Sequence, residues 1–177
     1  MQVLGHLLRL RPTKHETGGW LLGYWSADGA AVVLTHATPP GPRGAPDGVT
    51  VSDEGHSAYF EQAWNWSDGR VTFLGDWHTH PAGVPLPSST DRAAMRQLAE
   101  NAAFDTPTPL IAIVTHPGHR WGRTLRYVAF FLRQPGGAVV HLDPILLDEL
   151  PAGTGDVPDW WRRHRGRAAI VDCGRRR

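Results

Sequence analysis

Two histidines separated by one residue, followed at a fixed distance by a serine and an aspartate, carry the chemical potential of this 177-residue chain. The stretch GDWHTHPAGVPLPSSTD sets His78, His80, Ser88 and Asp91 in the order H-x-H, seven residues, S-x-x-D. Two imidazoles and a carboxylate suit a divalent metal such as zinc. Three protein ligands leave a fourth tetrahedral position open for water, which separates a catalytic zinc from a structural one.

The elements that must position these groups follow from simple periods. VTFLGDWHTH is rich in β-branched and aromatic residues and is expected to be a strand. Residues two apart on a strand share a face, so the imidazoles of His78 and His80 can converge on one ion. Pro81, Gly83, Pro85 and Pro87 then break the strand. Ser-Ser-Thr-Asp opens a helical run, DRAAMRQLAENAAF, with Asp91 in its first turn. Ser88 and Asp91 also form a variant capping box, which requires no metal. For that pair alone both readings stand.

The whole pattern resembles the JAMM metalloproteases, also called JAB or MPN domains, and within them the bacterial JAB-type isopeptidase branch. The family carries a glutamate near the start of an early strand, and here ETGGWLLGYW begins with Glu16 before an apolar run. The resemblance covers roughly residues 1 to 135. It implies one Zn2+ per chain, held by His78, His80 and Asp91. It makes Glu16 the base for the zinc-bound water and then the acid for the leaving amine. Ser88 would stabilise the oxyanion. Taken without the downstream motif, Glu16 reads as a solvated charge at a strand entry. The fold implied is α/β: a single MPN/JAB-like domain, a mixed β-sheet flanked by helices, with the zinc site at a strand end and the following helix N-terminus.

The length suits one domain with a real core. Residues 1–150 are assigned to the metalloprotease domain, and 151–177 to a Trp/Arg-rich C-terminal tail, packed back on the domain or partly disordered. No apolar run approaches a membrane span, and no leader pattern opens the chain. A single cysteine, Cys173, excludes an intrachain disulfide and reads as a passive thiol. A cytoplasmic location without membrane contact is the expectation.

LGHLLRL is expected to be a short helix leading to Glu16. GWLLGYW and AAVVLTHAT are expected to be strands joined by a hairpin turn at Ser26–Gly29. Residues 39–48 form a Pro/Gly-rich loop, either a substrate grip or a plain surface connection. EGHSAYFEQAWNW has helical spacing, with Tyr59, Phe60, Ala63 and Trp64 near one face. PLIAIVTH and LRYVAFFLR are two further strands, and AVVHLDPILL one last strand. His116 and His119 are placed in a loop without a second metal site. Trp20, Trp25 and Trp77 are expected in the core, and Trp160 and Trp161 in the tail.

The tail carries seven arginines against three aspartates. Such a run could touch nucleic acid, but a solvated end is the commoner reading, so a nucleic-acid partner is disfavoured. The leading function is a zinc-dependent (iso)peptidase. By resemblance, its substrate is the C-terminal tail of a ubiquitin-like protein or its conjugate, with ubiquitin-like activation and conjugation enzymes as further partners. The alternatives are a RadC-like DNA-associated protein, whose metal segment is similar, and a non-catalytic MPN scaffold. The E-T-G-G segment and the complete ligand set favour the peptidase.

Overall fold

The computed structural model of the chain describes residues 3, 7, 15–27, 29, 31–41, 55–81, 83–120, 123–146 and 169–172. Strands β1 (Gly18–Trp25) and β2 (Ala31–Ala37) form the first antiparallel pair. Gly29, at φ +66°, makes the turn between them, donating its amide to the Ser26 carbonyl at 2.8 Å. Helix α1 (His56–Trp66) follows, then β3 (Thr72–His80) and helix α2 (Ser89–Glu100). β4 (Leu110–Arg120), β5 (Arg123–Arg133), β6 (Val139–Leu142), β7 (Pro144–Leu146) and β8 (Ala169–Asp172) complete the set.

All these strands join one mixed sheet in the order β6-β5-β4-β3-β1-β2-β8-β7. Only β3 and β4 run parallel, and α2 lies in the connection between them, as a parallel crossover requires. Asp143 alone separates β6 from β7, although these occupy opposite ends of the strand order. A flat sheet would hold its two edges about 34 Å apart at about 4.8 Å per strand. One intervening residue spans at most about 7 Å, so the sheet must curl until its edges approach.

The two faces carry different cores. On one, Leu21, Val32, Leu34, Trp77, Ala112, Val114 and Phe130 pack with Val3 and Leu7 from the N-terminal segment. Val3 and Leu7 are helical and buried; of the short helix expected at residues 4–10 only Leu7 is among the described residues. The other face holds α1 and α2. α1 lays Phe60 and Ala63 over Trp20, Leu22 and Phe73, while α2 sets Met95 against Ile111, Ile113, Ala129 and Phe131.

A bulge in β3 decides which face receives the metal motif. Leu21 pairs with Gly75 and Leu22 with Phe73, so Leu74 is the extra residue. Leu74 and Trp77, three apart, therefore share a core, and Phe73 stays on the helical face. Asp76, His78 and His80 alternate with Trp77 and so face the helices. Gly75 lies at φ +146°, and a Cβ there would come within 1.8 Å of the Leu110 carbonyl oxygen. Only glycine fits that approach.

The structure departs from expectation at four places. Tyr59 and Trp64 are 48% and 43% exposed, so the packed face of α1 is His56, Phe60 and Ala63, spaced i, i+4, i+7. The residues around His116 and His119 form no loop, because β4 continues to Arg120 past an irregularity between Thr115 and Gly118. AVVHLDPILL divides into β6 and β7 at opposite edges of the sheet, since Pro144 lacks the donor to extend a ladder. The metal helix stops at Glu100 rather than near residue 104, and Asn101 closes it. Residues 169–172, within the segment expected to be a tail, pair as β8 with β2 and β7. The 39–48 loop beyond residue 41, the pair Trp160–Trp161 and Cys173 lie outside the described residues.

Candidate metal centre

β3 delivers His78 and His80 at its C-terminal end, where it leaves the sheet. His78 is nearly buried, with the His80 side chain only slightly more open. Their Nε2 atoms lie 2.9 Å apart. α2 supplies the third group. Asp91 and Met95 are one helical turn apart, so the face that packs Met95 on the sheet also turns Asp91 toward the end of β3. Asp91 Oδ1 is 3.2 Å from His78 Nε2, and its Oδ2 is 3.5 Å from His80 Nε2. The three ligand atoms all lie within 4.8 Å of one another, so His78, His80 and Asp91 can hold a metal ion.

The outer ring nitrogens show why a cation fits here. His80 Nδ1 is 3.2 Å from the Val84 carbonyl oxygen, an acceptor only. His78 Nδ1 is 3.5 Å from Asp76 Oδ1. Each Nδ1–H therefore donates outward, which turns an Nε2 lone pair of each ring inward. Two lone pairs and a carboxylate facing one another repel unless positive charge stands between them. This pattern of an acceptor behind each histidine is usual for metal-bound imidazole.

The electrostatics report the same demand. Burial alone would lower the His78 pKa, but hydrogen bonds and attraction from Asp76 and Asp91 outweigh it and raise it to about 10. Burial would likewise raise Asp91, yet His78, His80 and Ser88 hold its carboxyl well below the usual range. Without a metal, the centre takes up a proton in its place.

Ser88 is the N-cap of α2. Its Oγ accepts the Asp91 amide at 3.2 Å, and its own amide donates to Asp91 Oδ2 at 2.6 Å. The capping box is thus present together with the ligand geometry. The two readings of Ser88 and Asp91 are compatible, because the cap fixes the carboxylate whose other oxygen faces His78. Ser88 is exposed and keeps its hydroxyl hydrogen available as a donor.

Glu16 lies two residues before the start of β1. Gly18 pairs with His78, and the Thr79 amide donates to the Thr17 carbonyl at 2.8 Å. Extended past that bond, the antiparallel register would bring Glu16 level with His80, while the ladder itself begins at Gly18. β1 itself is held to β3 by close packing. A Cβ on Gly19 would meet Thr38 Oγ1 and the Trp77 indole nitrogen, each at 2.7 Å. Through that gap Trp77 Nε1 donates to the Thr38 carbonyl at 3.0 Å, while the Thr38 hydroxyl accepts the Trp20 amide at 2.8 Å.

Comparison with known proteins agrees with this architecture. The family described as prokaryotic homologs of the JAB domain matches residues 5–127, which include Glu16, both histidines, Ser88 and Asp91. The chain belongs to this JAB family. It is 32% identical over 109 residues to a CD-NTase/cGAS isopeptidase of Pseudomonas aeruginosa, covering 55% of this chain and 62% of that protein. A probable metalloprotease, y4qB, of Sinorhizobium fredii is 33% identical over 110 residues, covering 60% and 66%. A CD-NTase/cGAS isopeptidase of Vibrio cholerae is 33% identical over 104 residues, covering 54% and 65%. The chain thus spans just under two thirds of the length of these curated relatives. No helix among the described residues is long and apolar enough to cross a membrane.

Asp76 is the site residue that sequence reading missed. An aspartate before W-H-T-H reads as an ordinary polar strand position. Its one signal is parity, since it lies two residues before His78 on the same strand face.

Proposed function

We propose that this JAB domain is a zinc-dependent peptidase or isopeptidase acting on a protein conjugate, with the C-terminal tail of a ubiquitin-like protein on the acyl side of the cleaved bond. The observation that carries the reading is the convergence of two outward-anchored imidazoles and a capped carboxylate, with Thr17, the neighbour of Glu16, bonded to Thr79 between the two histidines. The relatives named isopeptidase support a conjugate as the substrate.

His78, His80 and Asp91 would hold the ion, and two nitrogens with one oxygen are a donor set that zinc accepts. When bound, zinc would polarise the scissile carbonyl and lower the pKa of a water to about 7. Glu16 takes a proton from the attacking water as its oxygen bonds to the carbonyl carbon. It then returns that proton to the amine as the C–N bond breaks. The Ser88 hydroxyl donates to the oxyanion that develops between these events, a contact typically worth about 3 kcal/mol. Val84 and Leu86 stand exposed between His80 and Ser88 and offer the substrate an apolar lip.

The test combines metal analysis with cleavage of a ubiquitin-like–peptide fusion, with and without chelator. About one zinc per chain is expected, with cleavage lost on chelation. Glu16→Gln should retain zinc and lose turnover, and His80→Ala should lose the metal. Full activity of Glu16→Gln would remove Glu16 from the mechanism. Stoichiometric tight zinc in His80→Ala would mean the ligand set is wrong.

A further inference from the structure

Thr79, between the two histidines, is a position to which the proposed chemistry gives no task. It is 1% exposed and alternates with the ligands, so it stands on the opposite face of β3. Its amide donates to the Thr17 carbonyl at 2.8 Å. In a regular antiparallel pair joined in this way, the Thr17 amide would return a bond to the Thr79 carbonyl. Here the Thr17 amide donates instead to Thr79 Oγ1, at 2.9 Å. The two threonine hydroxyls stand 3.5 Å apart. A side chain thus replaces the backbone acceptor at the last step before Glu16, and the β1 ladder begins only at Gly18.

That substitution acts on Glu16 through covalent geometry. The Thr17 N–H lies in the same rigid peptide plane as the Glu16 carbonyl and Cα. Fixing the N–H on a buried hydroxyl fixes the plane, and with it the point from which the Glu16 side chain departs. Glu16 precedes β1 and has no ladder position of its own. We infer that Thr79 is a positioning residue for Glu16, its hydroxyl setting the general base in register with the histidines on either side of it. The inference rests on the reading of Glu16 as the base.

Thr79→Val keeps the shape and branching of the side chain and removes the acceptor, while Thr79→Ser keeps the acceptor. Three quantities are measured on each full-length protein: zinc content, exchange of the Thr17 amide hydrogen by NMR, and kcat and KM on the ubiquitin-like–peptide fusion. In Thr79→Val the Thr17 amide should exchange at least about tenfold faster with zinc content unchanged. Its kcat should fall about 10- to 100-fold at constant KM, since a displacement of about 1 Å can cost that much. Thr79→Ser should restore both readouts. If Thr79→Val does not fold, Thr79→Ala, which adds no atoms, carries the same comparison.

A Thr17 amide as protected in Thr79→Val as in the parent would overturn the inference. So would loss of zinc in step with activity, which is the signature of a strand-end stabiliser. A fully active Thr79→Val beside an inactive Glu16→Gln would overturn the positioning role and leave the base in place. An active Glu16→Gln would remove the base itself, and the positioning role with it.

Discussion

Asp76 stands behind His78 as the Val84 carbonyl stands behind His80, but it brings a full charge. It lies on the same strand and is largely buried, so its attraction to the imidazole is weakly screened. Behind a metal-bound histidine such a partner raises ligand basicity and fixes the ring, and its loss typically costs about 10- to 100-fold in metal affinity. Asp76→Asn, which keeps an acceptor and drops the charge, should weaken zinc binding within that range. Chelator competition on the folded variant measures it, and an unchanged affinity would reduce Asp76 to a bystander. At this scale the sequence was legible where ligands are close together. His78, His80 and Asp91 fall within one strand, one loop and one helical turn, so period and capping rules bring them together. Asp76 was illegible because parity sets it on the face of His78 without distinguishing a partner of the imidazole from an ordinary polar strand residue. Glu16 enters only through the E-T-G-G resemblance, since no local rule reaches across some 60 residues from Thr17 to Thr79.

Among the elements, β3 bears the most constraint. Its alternation from Asp76 onward was readable, and the expected core position of Trp77 opposite the histidines holds. The bulge at Leu74 was not readable, because the run T-F-L-G-D scans as unbroken strand. Without the extra residue, the residues beyond it would exchange faces, and the histidines would enter the core that holds Trp77. Gly75 secures the bulge, so Gly75→Ala should destabilise the protein by at least about 1–3 kcal/mol, combining an unfavourable φ with an overlap on backbone. Urea unfolding of the two proteins measures this. Unchanged stability would show that β4 yields at Leu110. α1 misled for a related reason: Tyr59 and Trp64 are large and apolar in the right stretch, but a helix resting on a curved sheet buries a narrow stripe. His56, stacked 5.6 Å from Trp20, fills the place expected of a hydrophobe.

At the scale of the molecule, the charged centre links stability to pH. In the metal-free protein the folded pKa of His78 is raised from 6.5 to about 10. Its contribution is complete below 6.5 and is lost as pH rises toward about 10. Asp91 is shifted the other way from 3.8, so its contribution is present above that value and is lost as pH falls further. Chelator-treated protein should therefore lose stability in urea between pH 6.5 and about 10, with zinc abolishing the loss because the ion replaces the proton. Asp91→Asn should flatten the dependence. A metal-free protein equally stable across that window would contradict the charge coupling. The α/β class was legible from alternating strand and helix periods. The order of strands was not, because β8, which inserts between β2 and β7, follows the site by some 80 residues.

The three candidate ligands and their cap occupy 14 consecutive positions from His78 to Asp91, whereas Glu16 would reach them only through the pairing of β1 with β3. Local contacts close faster than distant ones. On the proposed mechanism, a chain still maturing can gather its ligands into one neighbourhood before it has a base to use with them. Hydrolytic competence then waits on the tertiary pairing of β1 with β3, and a half-made molecule is a metal binder before it is a protease.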